Sequence, residues 1–361
     1  MSHDFQSLTV KAVRRETADA ISLALAVPEG RAAEFAYKPG QHLVVRAMMD
    51  GAEVRRTYSI CSGPGDKDLW ITIKRVEGGL YSPHAHGLSA GARIEVMPPA
   101  GRFVLPPSDG RPRTLLAVAA GSGITPIMAM IQKALETEPE TRVVLIYGNR
   151  ATDSIIFREA LDDLKDRFLQ RFTLLHVLSR DADTDVPELA GRIDGAKVER
   201  LLKALVDVNE IDHAFLCGPD TLIKDVRAKL MDMGLPRERV HFEFFRAGSE
   251  AEQRRPAVKR EAVIGADAKG ADITVIVDGA RHSFKLPEGA HVVDAATAAG
   301  IRVPYSCKGG MCCTCRAKIV EGKAAMSRNF SLEPWEVEQG FVLTCQAQAR
   351  SPRLVLDFDA M

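Results

Sequence analysis

The chain has 361 residues, 46% of them hydrophobic, with 48 basic residues balanced by 48 acidic ones. That length supports two or three hydrophobic cores, and a zero formal charge removes the electrostatic case for binding nucleic acid or an anionic membrane. No run of eighteen apolar residues appears, Met1-Ser2-His3-Asp4-Phe5 has no basic segment leading into an apolar one, and the seven cysteines do not form a disulfide-like pattern, so a soluble cytoplasmic protein is expected.

Residues 1–107 read as short alternating strands, among them Leu43-Val44-Val45-Arg46, Leu69 to Lys74 and Arg93 to Val96, broken by Gly63-Pro64-Gly65 and Pro98-Pro99. Such spacing predicts a small antiparallel barrel. On one of its strands, Arg55-Arg56-Thr57-Tyr58-Ser59-Ile60 sets an aromatic ring and two hydroxyls beside two arginines. An arginine fork suits a pyrophosphate and a tyrosine face suits a ring system, although a solvated basic strand edge with a packed tyrosine has the same composition. Gly78-Gly79-Leu80-Tyr81-Ser82-Pro83 offers a second loop whose backbone could approach phosphate. His84 and His86 lack further ligands at metal spacing and read as loop or surface histidines.

Over residues 108–248 the pattern changes. Apolar runs at Thr114 to Val118, Val143 to Tyr147 and Phe172 to Val177 alternate with helical stretches at Ile127 to Leu135 and Leu222 to Met233, which predicts a parallel sheet covered by helices. Gly121-Ser122-Gly123-Ile124-Thr125-Pro126 joins a strand to a helix. Gly121 and Gly123 permit close approach of a phosphate, Pro126 suits the first helical turn, and the free amides there attract an anion, though a plain strand-to-helix turn would look similar. Cys217-Gly218-Pro219-Asp220 lies at the same carboxyl edge of the sheet, as does Ser179-Arg180.

The polar, aperiodic stretch 249–270 reads as a linker. In residues 271–361, Ile273 to Val277 and His282 to Leu286 flank the turn dipeptide Asp278-Gly279, and a helix at Val292 to Ala299 stops at Gly300, giving an α+β module. Cys307, Cys312 and Cys315, with Cys345 downstream, have the C-x4-C-x2-C…C spacing that holds a [2Fe-2S] cluster. Four-cysteine structural zinc is the alternative, but zinc ribbons pair two short C-x2-C knuckles, and here one ligand stands five positions upstream and another is remote. Cys313 lies outside the spacing, and Cys61 and Cys217 are scattered.

Arg56-Thr57-Tyr58-Ser59, Gly121 to Pro126 and Cys217-Gly218-Pro219 together resemble the flavin, nicotinamide and C-G-P motifs of the ferredoxin-NADP reductase superfamily, with a plant-type ferredoxin module (β-grasp) at the C-terminus. Pro304 to Cys315 and Gly340 to Gln346 look most like the reductases that serve phenylacetyl-CoA monooxygenases. The resemblance covers the whole chain and implies an NADPH-dependent oxidoreductase, with NADH possible, that passes electrons through FAD and the cluster to a diiron oxygenase. By it, Arg56, Thr57, Tyr58, Ser59, Gly79, Leu80 and Ser82 hold FAD, with Tyr58 on the isoalloxazine and Arg56 on the pyrophosphate. Gly121, Gly123, Thr125, Pro126, Gly218, Pro219 and Asp220 hold the nicotinamide nucleotide, Ser179 and Arg180 receive its 2′-phosphate, and Ser59 and Cys217 stand where hydride is transferred. Phe242-Glu243-Phe244-Phe245 is the counterpart of the family's aromatic and acidic tail. Another oxygenase, a Rieske ring dioxygenase or a different diiron hydroxylase, would use the same relay, whereas a zinc-binding protein without catalysis would use none of it.

Overall fold

The computed structural model describes residues 4–181, 186–245 and 270–360. Six strands form the first sheet: β1 (Gln6–Thr17), β2 (Ala20–Ala26), β3 (His42–Met49), β4 (Ala52–Ser59), β5 (Leu69–Lys74) and β6 (Arg93–Val96). They run antiparallel in the order β4-β3-β6-β1-β2-β5. The two edge strands meet where Ile60 bridges Ile71 and the Cys61 amide donates to the Trp70 carbonyl at 2.9 Å, so the sheet closes into the expected barrel. Leu8, Leu23, Leu43, Ile60 and Ile71 fill it. Strand β2 is buried on both faces because Ile21, Leu23 and Leu25 enter the barrel while Ala20 packs on the next domain. A short helix, α1 (Tyr81–Ala85), occupies the loop after β5, where the sequence suggested only irregular backbone.

The second domain alternates strand and helix: β7 (Thr114–Ala120), α2 (Ile124–Thr137), β8 (Arg142–Asn149), α3 (Arg158–Arg167), β9 (Phe172–Leu178), α4 (Gly195–Leu205), β10 (Ile211–Gly218), α5 (Asp220–Asp232) and β11 (Val240–Phe244). All five strands are parallel, in the order β11-β10-β7-β8-β9. Alternation along β7 assigns the faces. Leu115 and Ala117 join Ile127, Ile131 and Leu161 of α2 and α3, and Leu116 and Val118 join Val198, Leu202 and Val226 of α4 and α5. The chain leaves β7 toward β8 and later returns to its other side as β10. The crevice at the carboxyl ends of these two strands is therefore the switch point at which open α/β sheets bind ligands.

Residues 246–269 lie outside the described residues, and nearly all of the expected linker falls there; Gly270 itself already begins a strand. The last domain holds β12 (Gly270–Val277), β13 (Ala280–Pro287), α6 (Val292–Ala298), β14 (Arg316–Glu321), β15 (Ala324–Met326), α7 (Pro334–Glu338), β16 (Phe341–Leu343), β17 (Ala347–Ala349) and β18 (Arg353–Asp357). Its main sheet runs β13-β12-β18-β14-β16, with β12 and β18 parallel, and Val292, Val293 and Ala296 of α6 cover it. Asp278 and Gly279, at φ 50° and 75°, make the tight turn between β12 and β13, as the dipeptide predicts. Among the described residues no helix is long and apolar enough to cross a membrane.

Candidate functional site

A cavity of about 750 Å³ opens where the three domains meet. Arg56, Thr57, Tyr58 and Ser59 of β4 line it, as do Ser82 of α1, Ser122 and Thr125 at the start of α2, and Cys307 and Cys312 of the cysteine loop. Strand alternation does not separate the four β4 residues, because the end of β4 is half-buried between the barrel and this cavity. Tyr58 lies 5.8 Å from the Tyr81 ring, which is buried to 1% exposure, and that burial pushes the Tyr81 hydroxyl up to about 12. The Val76 amide donates to Ser82 Oγ at 3.0 Å. Gly79 shapes this turn without lining the cavity: a Cβ there would stand 2.8 Å from the Val76 carbonyl oxygen. Leu80 packs against the barrel core instead of the cavity.

At the switch point, Thr125 Oγ1 donates to the Ser122 carbonyl at 3.0 Å and the Tyr147 hydroxyl donates to the Gly121 carbonyl at 3.0 Å, which fixes the turn between β7 and α2. Pro126 is buried in the first turn of α2. Cys217 is fully buried beneath the turn, and burial, followed by the nearby Glu243 charge, raises its thiol well above the ordinary range. Gly218 and Pro219 lead into α5, whose first residue, Asp220, pairs with Lys224 along the helix at 2.8 Å. The backbones of β8 and β9 continue side by side past their ends: the Ser179 amide donates to Asn149 and the Arg180 amide to Arg150 at 2.7 Å. Arg150, which lines the cavity, thus joins Arg180 at this edge.

One buried residue, His42, escaped sequence reasoning, and it meets the half-buried Glu243 of the aromatic and acidic tail. His42 Nδ1 lies 3.6 Å from Glu243 Oε1, and the other polar atoms of the pair, His42 Nε2 and Glu243 Oε2, are buried with no hydrogen-bond partner. Both residues line the cavity, together with Phe244 and Phe245, while Phe242 turns away beneath the Arg227 guanidinium at 4.4 Å. The aromatic and acidic tail signalled Glu243. Nothing distinguished His42 from an ordinary strand residue.

The four cysteines of the spacing pair two by two. The Cys312 thiol bonds to Cys307, which holds the Cys307 thiol low, and the Gly309 amide adds a donor to Cys307 Sγ at 3.3 Å. Cys315 is raised by its bond to Cys345 and by burial. Gln346 Nε2 ties the two segments by donating to the Lys308 carbonyl at 2.8 Å, and the Thr344 hydroxyl donates to the Cys315 carbonyl at 2.8 Å. Among the described residues no three of His, Cys, Asp or Glu converge on one metal-ion position. Two facing thiol pairs instead fit a two-iron cluster held by four thiolates. The cavity fits a flavin on similar grounds, since it combines an aromatic face, arginines and buried polar atoms that lack partners.

Comparison with known proteins agrees with this division. The chain matches the oxidoreductase FAD-binding domain over residues 7–105, the oxidoreductase NAD-binding domain over 117–228 and the 2Fe-2S iron-sulfur cluster binding domain over 275–350. The last match contains the cysteine loop and decides between iron-sulfur and zinc. A component of the 1,2-phenylacetyl-CoA epoxidase of Escherichia coli K12 is 41% identical over 99% of this chain and 98% of its own. The ferredoxin reductase component of 3-ketosteroid-9-alpha-monooxygenase from Rhodococcus rhodochrous is 36% identical over 97% of this chain and 96% of its own. Among solved structures, phthalate dioxygenase reductase superposes with a TM-score of 0.58 at 25% identity, covering 98% of each chain.

Proposed function

We infer, from the premise that this chain belongs to the family of oxygenase reductases that join FAD-binding, NAD-binding and [2Fe-2S] domains, that it carries electrons from NADPH to the oxygenase of a phenylacetyl-CoA epoxidase system. The observation that carries the relay is the shared cavity, in which the β4 motif, the α2 turn and two cysteines of the loop face one space. When bound, FAD takes up an electron pair from the nicotinamide and gives electrons up singly, and the cluster carries one at a time.

The chain's own residues then have distinct tasks. Tyr58, braced by Tyr81, offers a flat face to the isoalloxazine, and Arg56 is the donor fork for the pyrophosphate. Thr57, Ser59 and Ser82 supply hydroxyls, with Gly79 and Leu80 holding the turn that presents Ser82. Gly121, Gly123, Thr125 and Pro126 seat the nucleotide at the switch point, and Gly218, Pro219 and Asp220 close its other side. Ser59 lines the place where hydride passes together with His42 and Glu243, and the buried neutral Cys217 lies beneath it. Cys307, Cys312, Cys315 and Cys345 hold the cluster, and the first two face the flavin side.

NADPH is favoured over NADH because Arg180 and Arg150 meet at the edge where a 2′-phosphate would extend. The partner assignment rests on the relative named for phenylacetyl-CoA epoxidase, at 41% identity over nearly the whole chain. A second reading, service to a steroid monooxygenase or another oxygenase, draws on the 36% identical relative of similar coverage. Anaerobic titration with NADPH and NADH, read by visible and EPR spectra, tests donor and relay together. Reconstitution tests the partner: turnover with the phenylacetyl-CoA oxygenase is expected, and turnover only with a 3-ketosteroid oxygenase would reassign it.

A further inference from the structure

The ferredoxin-type module is held against the other two domains at three places where at least one partner is largely shielded, besides an exposed pair of Arg302 with Asp4 at 3.7 Å. At the first, the Arg55 guanidinium lies 3.8 Å from the Tyr305 ring centroid and donates to the Tyr305 carbonyl at 3.4 Å, while the Tyr305 hydroxyl donates to Glu53 at 3.3 Å. The second and third lie on the short helix α7 and at its N-cap. Glu336, 1% exposed at its side chain, is gripped by both terminal nitrogens of Arg102 from the barrel domain, Nη2 to Oε2 at 2.9 Å, with Arg316 Nε at 3.3 Å behind it. Glu333, one turn earlier, receives Arg227 Nη2 at 2.9 and 3.0 Å and also Arg237, both from the nucleotide domain. Trp335 and Val337 of the same helix face outward at 51% and 42% exposure.

We propose that Arg102 and Glu336 form a positioning pair that, with the clamp of Glu333 on Arg227 and Arg237, seats the [2Fe-2S] module against the flavin cavity and sets the rate of flavin-to-cluster transfer. The proposal rests on the relay described above. The three shielded contact points suffice to orient a rigid body, and two of those three are ionic; the Arg302–Asp4 pair is exposed and adds little. A carboxylate as buried as Glu336 needs its cation, so pairing and docking are one event: separation exposes Arg102 and leaves Glu336 with Arg316 alone. Electron tunnelling falls steeply with distance, so a loosened module slows the step in which one electron leaves the reduced flavin and one ferric iron becomes ferrous. Hydride transfer takes place on the far side of the same cavity, needs none of these contacts and is left as it was.

The test uses the full-length holoprotein, with wild type, R102E, E336R, the exchange R102E/E336R and, for the second clamp, R227E/R237E. Anaerobic stopped-flow mixing with NADPH separates flavin bleaching from cluster reduction, and small-angle scattering reports the radius of gyration. Expected are flavin bleaching within about twofold of wild type, cluster reduction at least about tenfold slower in each charge reversal, and recovery in the exchange. The radius of gyration should grow in the reversals and return in the exchange, and rising potassium chloride should slow cluster reduction in wild type. Cluster reduction at the wild-type rate in the reversals, or an unchanged radius of gyration, overturns the proposal. If R102E loses flavin or cluster, R227E/R237E decides by the same readouts. A wild type that never reduces its cluster would instead refute the relay itself.

Discussion

Gly123 and Cys217 approach so closely that a Cβ on the glycine would lie 2.2 Å from the cysteine's carbonyl oxygen. The glycine therefore serves packing between the α2 turn and the end of β10, on top of any approach to phosphate. Its φ of −61° is open to any residue, so a substitution suffers from the clash and not from backbone strain. Gly123→Ala should cost about 1–3 kcal/mol of overpacking, seen as a lower unfolding temperature of the nucleotide domain and weaker NADPH binding. Flavin and cluster absorbance should be retained. Unchanged melting and binding would show that the turn can move aside.

The proposed preference for NADPH assigns the 2′-phosphate to Arg180 and its neighbour Arg150. A charge-assisted contact to a 2′-phosphate contributes about 1.5–3 kcal/mol, which corresponds to roughly tenfold to more than a hundredfold in kcat/KM. Arg180→Ala and Arg150→Ala should each lower kcat/KM with NADPH within that range and leave NADH nearly untouched. Equal losses with both donors would move these arginines from specificity to structure.

The division into barrel, parallel sheet and cysteine module was legible because each leaves a local periodic signal: short strands between Gly and Pro breaks, apolar runs alternating with helices, and a fixed cysteine spacing. Contacts between distant segments were not. His42 and Glu243 are far apart in sequence and meet only because β3 and β11 border one cavity. Arg150 follows an ordinary strand, and only the parallel register of β8 with β9 carries it to Arg180. Glu333 and Glu336 belong to none of the motifs read from the sequence, and both are anchored by arginines of other domains.

The proposed cluster ligands are the paired thiols, which sets them apart from Cys313. Cys345→Ser should abolish the iron-sulfur spectrum while flavin absorbance persists, since it removes half of the Cys315–Cys345 pair. Cys313→Ser should keep both chromophores: its thiol is raised by burial and meets Arg102 at 3.9 Å, apart from either pair. Iron content and visible spectra of the two purified variants check this, and a C313S protein without iron would contradict the assignment.

Acid should destabilise the nucleotide domain through His241. Its ring stacks on Phe215 with centroids 5.0 Å apart and bonds to His213 across 3.1 Å. Burial, followed by the repulsion of His213, lowers it from the ordinary 6.5 to about 4, and burial with the Arg113 charge also lowers His213. Asp212, which favours the charged form of His213, offsets only part of that shift. The folded state thus holds these rings neutral where the unfolded chain would protonate them. Below pH 6.5 the unfolded state binds more protons, so stability falls with pH and the loss is complete near pH 4. At pH 5 the His241 share is about 2 kcal/mol. Urea unfolding between about pH 4.5 and 8, followed by a domain-specific signal, should show this slope. His241→Phe, which keeps a ring against Phe215 without a titrating nitrogen, should flatten it, and an equally steep slope in that variant would place the acid sensitivity elsewhere.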